Sequence, residues 1–184
     1  MRTLGVEVAP LERDAGEALP TEFRIFRAGA NPTSKGVAVF DAAAAGSVMA
    51  AWARDGVDLM IDLNHDSLEA DARAREDASD ARGWFGLEVR NGELWAVNVR
   101  WTPDGARRLS ERTQRYISPA FKYEEGEDGD HVLEIFNVGL VAMPATYNAQ
   151  ALIAAARLRT HTPRATLSVS AESRARIDRL IAKL

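Results

Sequence analysis

The chain contains no cysteine. That absence excludes a disulfide scaffold, a thiolate nucleophile and a zinc site built on thiolates, and it suits a reducing compartment. No stretch approaches the roughly 20 consecutive apolar residues that a membrane-crossing helix needs. The opening Met1-Arg2-Thr3-Leu4-Gly5 lacks the apolar core of a signal peptide, so a soluble, cytoplasmic protein is expected. Histidine is scarce, with only His65, His131 and His161. Asp62, His65 and Asp66 are close in sequence, but neither an HExxH pattern nor a second nearby histidine completes a metal site. No metal and no cofactor is expected. The glycines at 126–129 are embedded in acid, which repels phosphate, so they form no phosphate-cradling loop. No internal repeat is evident.

What is present is the composition of a globular protein. The 184 residues are 46% hydrophobic and 27% charged, enough for one domain with a real core. A net charge of -4 and a pI near 5.5 give no whole-chain attraction to nucleic acid or to an anionic membrane.

The pattern along the chain is rich in strands. Thr21 to Phe26 alternates polar with apolar residues, Gly29-Ala30-Asn31-Pro32 reads as a turn, and Val37 to Phe40 reads as a second strand. Asp41 is placed to cap an alanine-rich helix through Trp52, closed by Arg54-Asp55-Gly56. Leu59 to Leu63 is an apolar run that ends at Asn64-His65-Asp66. Residues 67–80, acidic and without an apolar stripe, read as a solvated loop or a short exposed helix. Trp84 to Val89 and Leu94 to Val99 form a hairpin across Asn91-Gly92. Thr102-Pro103 opens a short helix to about Arg112. Arg115 to Phe121 is extended, because Pro119 bars Ser118 from the helical region. Glu124 to Asp130 is a surface turn before a strand from Val132 to Val141, which Met143-Pro144-Ala145 ends. Residues 149–158 read as helix. A Thr/Pro/Ser-rich linker follows, and then a terminal helix with Ile177, Leu180, Ile181 and Leu184 on one face. The expected division is one domain over residues 1–158, with linker and short helix over 159–184.

Two residues stand out chemically. His65 follows an apolar strand between Asn64 and Asp66, whereas His131 and His161 lie in a turn and in the linker. The plain alternative is a strand-end histidine satisfied by its polar neighbours. Ser118 is held by Pro119 among Tyr116, Ile117 and Phe121. A serine hydroxyl becomes a useful nucleophile only beside a base that a third group orients; otherwise Ser118 is a turn serine at a strand end. Acid residues are plentiful, but no pair is singled out for glycosidase chemistry.

The ordered motifs Leu59-Met60-Ile61-Asp62-Leu63-Asn64-His65-Asp66, Gly83-Trp84, Leu94-Trp95, Trp101-Thr102-Pro103, Tyr116-Ile117-Ser118-Pro119 and Leu140-Val141-Ala142-Met143-Pro144-Ala145 resemble the Mu-like prophage I protein family. The resemblance spans residues 20–155 and extends more distantly to prohead proteases of other tailed phages and to herpesvirus assemblins. It implies an α+β fold, with a β-barrel-like core of mostly antiparallel strands and flanking helices. It also implies a serine endopeptidase of capsid maturation, with Ser118 as nucleophile and His65 as general base. Asn137, in Asn137-Val138-Gly139-Leu140-Val141, falls at the third position; Glu134 and Asp66 remain alternatives for it. The paired arginines of the assemblin oxyanion site have no counterpart after Met143, which leaves backbone N–H groups near Ser118 as the expected donors. The implied partners are a scaffold protein and the major capsid protein as substrates, and a second copy of the chain in a homodimer. Neither nucleic acid nor membrane is implied. The implied place is the host cytoplasm, inside assembling proheads, with self-cleavage between Ala149 and Ser170 as a further expectation. The rival expectation is a catalytically inactive scaffold or assembly protein that keeps the protease-like fold.

Overall fold

The computed structural model describes residues 18–69 and 80–153. Among them are eight strands: β1 (Phe23–Phe26), β2 (Gly29–Thr33), β3 (Gly36–Phe40), β4 (Leu59–Leu63), β5 (Gly83–Arg90), β6 (Glu93–Trp101), β7 (Tyr116–Gly126) and β8 (Gly129–Val141). Two helices accompany them, α1 (Ala42–Asp55) and α2 (Pro103–Ser110). Short polar signals set the boundaries. Asp41 accepts the Ala44 N–H at the start of α1, and Gly56, in the left-handed region at φ 63°, returns its N–H to Trp52 at the end. Thr102 caps α2 ahead of Pro103, whose missing N–H costs nothing in a first turn. Asn91 and Gly92, both at positive φ, turn the β5–β6 hairpin.

The strands form one mixed sheet in the order β1-β6-β5-β4-β8-β3-β2, with β7 added against β8. β8 organises it. Near its start it runs parallel to β3, through Ala38↔Asp130; near its end it runs parallel to β4, through Asp62↔Gly139; and β7 lies antiparallel along it. The sheet curls into a half-barrel, and the ring of Phe26 on β1 meets that of Phe121 on β7 edge-on at 5.3 Å. Phe26, Phe40, Ile61, Phe85, Leu94, Val138 and Leu140 belong to one hydrophobic core and are almost wholly buried. Each stabilises the fold by about 1.5–3 kcal/mol relative to exposure. The result is an α+β protein.

Three expectations need correction. Gly29 to Pro32 is strand β2 rather than a turn. The buried Asn31 side chain bonds the backbone of Arg27 and Gly29, so the reversal falls before it, and Pro32 is tolerated because β2 lies at the end of the sheet order. The turn expected over Glu124 to Asp130 shrinks to Glu127-Asp128, because β7 and β8 stay paired to Gly126↔Gly129. Residues 149–153 are irregular, not helical, although rich in alanine. Here tertiary contacts override propensity: Ile153 joins the core, and the Leu152 N–H bonds the Arg115 carbonyl at 2.8 Å. The rest of that expected helix, the linker, the terminal helix and most of residues 67–80 lie outside the described residues.

Candidate active site

The end of β4 places His65. Leu63 is the last strand residue, and Asn64 and His65 both take positive φ, at 52° and 64°. The Asp66 N–H returns to the Leu63 carbonyl at 2.9 Å, closing a tight turn with two left-handed residues at its centre. Such a conformation is costly for a side chain larger than glycine's, though asparagine tolerates it best. It doubles the chain back so that the imidazole returns over the sheet it has just left.

The ring lands on Gly139. A Cβ built there would stand 2.9 Å from both Cε1 and Nε2 of His65. Gly139 is the register partner of Asp62 on one side and of Ser118 on the other. Residues directly opposite one another in adjacent strands share a face. Asp62, the His65 ring and Ser118 therefore lie in a row across three strands, with the imidazole over the middle one. The His65 Nδ1 meets Asn137 Oδ1 at 3.1 Å. Asn137, 2% exposed, donates through Nδ2 to the Ser67 hydroxyl at 3.1 Å and to Asp62 Oδ2 at 3.4 Å. Asp62 is fully buried and also accepts from the Leu63 N–H, the Ser67 N–H and the Ser67 hydroxyl.

Of the residues expected from sequence, the structure brings His65 and Asn137 into direct hydrogen-bond contact. Ser118 is buried on the neighbouring strand, on the face that carries the imidazole, but its hydroxyl makes no hydrogen bond to His65 or to any other described residue. Glu134 is elsewhere, paired with Arg54 at the surface at 3.2 Å. The Asp66 N–H closes the turn. His131 bonds Asp128 at 2.8 Å and lies 3.7 Å from Asp41, well along β8; its hydrogen bond holds the Asp128 carboxyl below the ordinary value. His161 lies outside the described residues. Among the described residues no group of three or more His, Asp or Glu side chains is disposed to hold a metal ion. Pro119 carries no N–H, so an oxyanion contact cannot come from the residue after Ser118.

Sequence reading weighed Asp62 only as a metal ligand, and it overlooked Ser67 and Gly139. The usable signal was Asp62, the one charged residue in the apolar run Leu59-Met60-Ile61-Asp62-Leu63. An acid that points away from solvent in a central strand needs donors, and those donors mark the site.

Residues 23–153 match the family model for the Mu-like prophage I protein, N-terminal domain. No curated protein and no solved structure matches the chain.

Proposed function

The chain belongs to the Mu-like prophage I protein family, which ties it to a phage-related role, and from that premise we propose that it is a serine endopeptidase of capsid maturation. Its substrates are scaffold and coat precursors, and it acts inside the assembling prohead, in the host cytoplasm. Ser118 is the nucleophile, His65 the general base, and Asn137 the group that orients the base. The observation that carries this reading is the imidazole seated on Gly139, directly across the ladder from Ser118, with Nδ1 tied to Asn137.

The chemistry follows from the atoms. Oδ1 of Asn137 can only accept, so the ring proton stays on Nδ1 and the Nε2 lone pair faces away from Asn137. Nε2 takes the Ser118 proton as the serine oxygen attacks a peptide carbonyl. The imidazolium then gives that proton to the departing amine, and water repeats the cycle on the acyl-enzyme. An asparagine in this position holds the tautomer as an aspartate would, and cysteine–histidine–asparagine enzymes work in the same way.

The test is to incubate the purified protein with its scaffold precursor and map fragments by mass spectrometry, alongside labelling with a fluorophosphonate. Cleavage and labelling at Ser118 are expected, and both should fall to background in Ser118→Ala and His65→Ala. Equal cutting by either variant would refute the assignment of that residue. The second reading, an inactive assembly protein with this fold, is favoured by the Ser118 hydroxyl having no hydrogen bond to His65. Binding of scaffold without cleavage by every form would establish it.

A further inference from the structure

Asp62 is wholly excluded from solvent on β4. A buried carboxylate is expensive unless its oxygens are bonded. Three of its contacts brace the turn that carries His65: the Leu63 N–H at 2.6 Å, the Ser67 N–H at 3.0 Å and the Ser67 hydroxyl at 2.7 Å. The fourth reaches across to β8, where Asn137 Nδ2 stands 3.4 Å from Oδ2.

That contact has a polarity. A carboxylate only accepts, so Asn137 must turn its NH2 toward Asp62 and its oxygen toward His65. Ser67 alone would not impose this, because a hydroxyl can donate or accept. It accepts from Asn137 here because its own proton is committed to Asp62. We propose that Asp62 is a positioning residue that fixes the amide orientation of Asn137 and, through it, the Nδ1–H tautomer of His65. Its catalytic consequence rests on the reading of His65 as the base for Ser118. With the amide reversed, an N–H would face Nδ1, the ring proton would move to Nε2, and the lone pair needed for Ser118 would be lost.

The experiment uses the full chain, 15N-labelled, with long-range 1H–15N correlation of the imidazole at a pH where the ring is neutral. The unmodified protein should hold Nδ1–H. Asp62→Asn keeps the shape but can also donate, so both tautomers should be populated and Ser118 labelling by fluorophosphonate should fall about tenfold or more. Ser67→Ala removes the loop contact but keeps the carboxylate, and should leave the tautomer unchanged. The proposal is overturned if the unmodified ring is Nε2–H, a result that needs no variant to fold. It is equally overturned if Asp62→Asn keeps Nδ1–H, or if Ser67→Ala shifts the tautomer as far as Asp62→Asn does. A tautomer that responds to Asp62→Asn in a protein that neither labels nor cuts would sink the protease reading and leave the positioning role of Asp62 standing.

Discussion

A single methyl group at Gly139 separates folding from site geometry. The backbone there is not in the left-handed region, so alanine is conformationally acceptable, yet its Cβ would meet Cε1 and Nε2 of His65 at 2.9 Å and Cδ2 at 3.1 Å. Ordinary van der Waals contact begins near 3.4 Å, so the ring must retreat by about 0.5 Å or more. The ring is tethered at Nδ1 to Asn137 at 3.1 Å, and a retreat of that size stretches or breaks a hydrogen bond worth about 1 kcal/mol. Against this, replacing a strand glycine recovers about 0.5–1 kcal/mol of chain entropy. Global stability should therefore change by less than about 1 kcal/mol. On the proposed role of His65 as the base for Ser118, activity should change far more, because displacing a reacting group by 1 Å costs about a hundredfold. A loss of roughly ten- to a hundredfold in the second-order rate of fluorophosphonate labelling at Ser118 is expected of Gly139→Ala, beside a near-normal thermal unfolding curve. The control is Gly86→Ala on β5, whose Cβ would come nearest to Trp52, at 3.3 Å, and to Val97, at 3.8 Å, rather than to His65. Labelling of Gly139→Ala at the unmodified rate would refute the view that the imidazole seated on Gly139 serves Ser118.

Other expectations follow from the same contacts. Asn137→Asp would set a second carboxylate about 3.4 Å from Asp62, a repulsion of about 5 kcal/mol at an effective dielectric of about 20. The variant should be less stable than the unmodified protein at neutral pH and regain stability as pH falls, measured by urea unfolding at several pH values. Gly46, in the middle of α1 with no atom within 4 Å of a built Cβ, should accept alanine with a gain of about 0.5–1 kcal/mol and unchanged labelling at Ser118. The Asp104 carboxyl is held below its ordinary value chiefly by its hydrogen bond from Arg108, with burial opposing and Arg107 and Arg82 adding. A depressed carboxyl contributes stability above its unfolded value and loses it as pH falls through the folded one. Asp104→Asn should therefore cost about 1 kcal/mol at neutral pH, after screening of a partly exposed pair, and flatten the acid limb of a stability–pH profile.

Local signals were legible wherever one residue type has one job. Asp41 and Gly56 bounded α1, Asn91-Gly92 marked the hairpin, and Thr102-Pro103 opened α2. Signals failed where a side chain acts at a distance. Asn31 looked like a turn residue because asparagine favours turns, but its amide serves the backbone at Arg27 and Gly29 while its own backbone stays in β2. The alanine-rich segment from 149 looked helical because propensity ignores what Ile153 is packed against. At the site, His65, Ser118 and Asn137 could be named from motif order, but their arrangement depends on the β4–β8 and β7–β8 registers. A slip of one residue in either would move Gly139 out of line with Asp62 or with Ser118. Periodicity does not encode the pairing of strands so far apart in sequence.

Asparagine at the proposed third position is chemically sensible only with its surroundings in view. An aspartate there would orient the imidazole and also stabilise its positive charge; an asparagine supplies the orientation alone. Here the acceptor and the carboxylate are divided between two residues, Asn137 at 3.1 Å from the ring and Asp62 at 3.4 Å behind it. The amide lies between them, with its nitrogen toward the carboxylate and its oxygen toward Nδ1, so it accepts from the ring on one side and donates to the acid on the other. The same Asp62 also closes the turn that delivers His65, through Leu63 and Ser67. One buried acid thus touches both the turn that delivers His65 and the amide that meets its Nδ1. Moving the carboxylate to residue 137 would abolish that arrangement, because an acid at 62 would then oppose it. The asparagine and the buried aspartate form one unit, and replacing either alone should do more harm than its own hydrogen bonds account for.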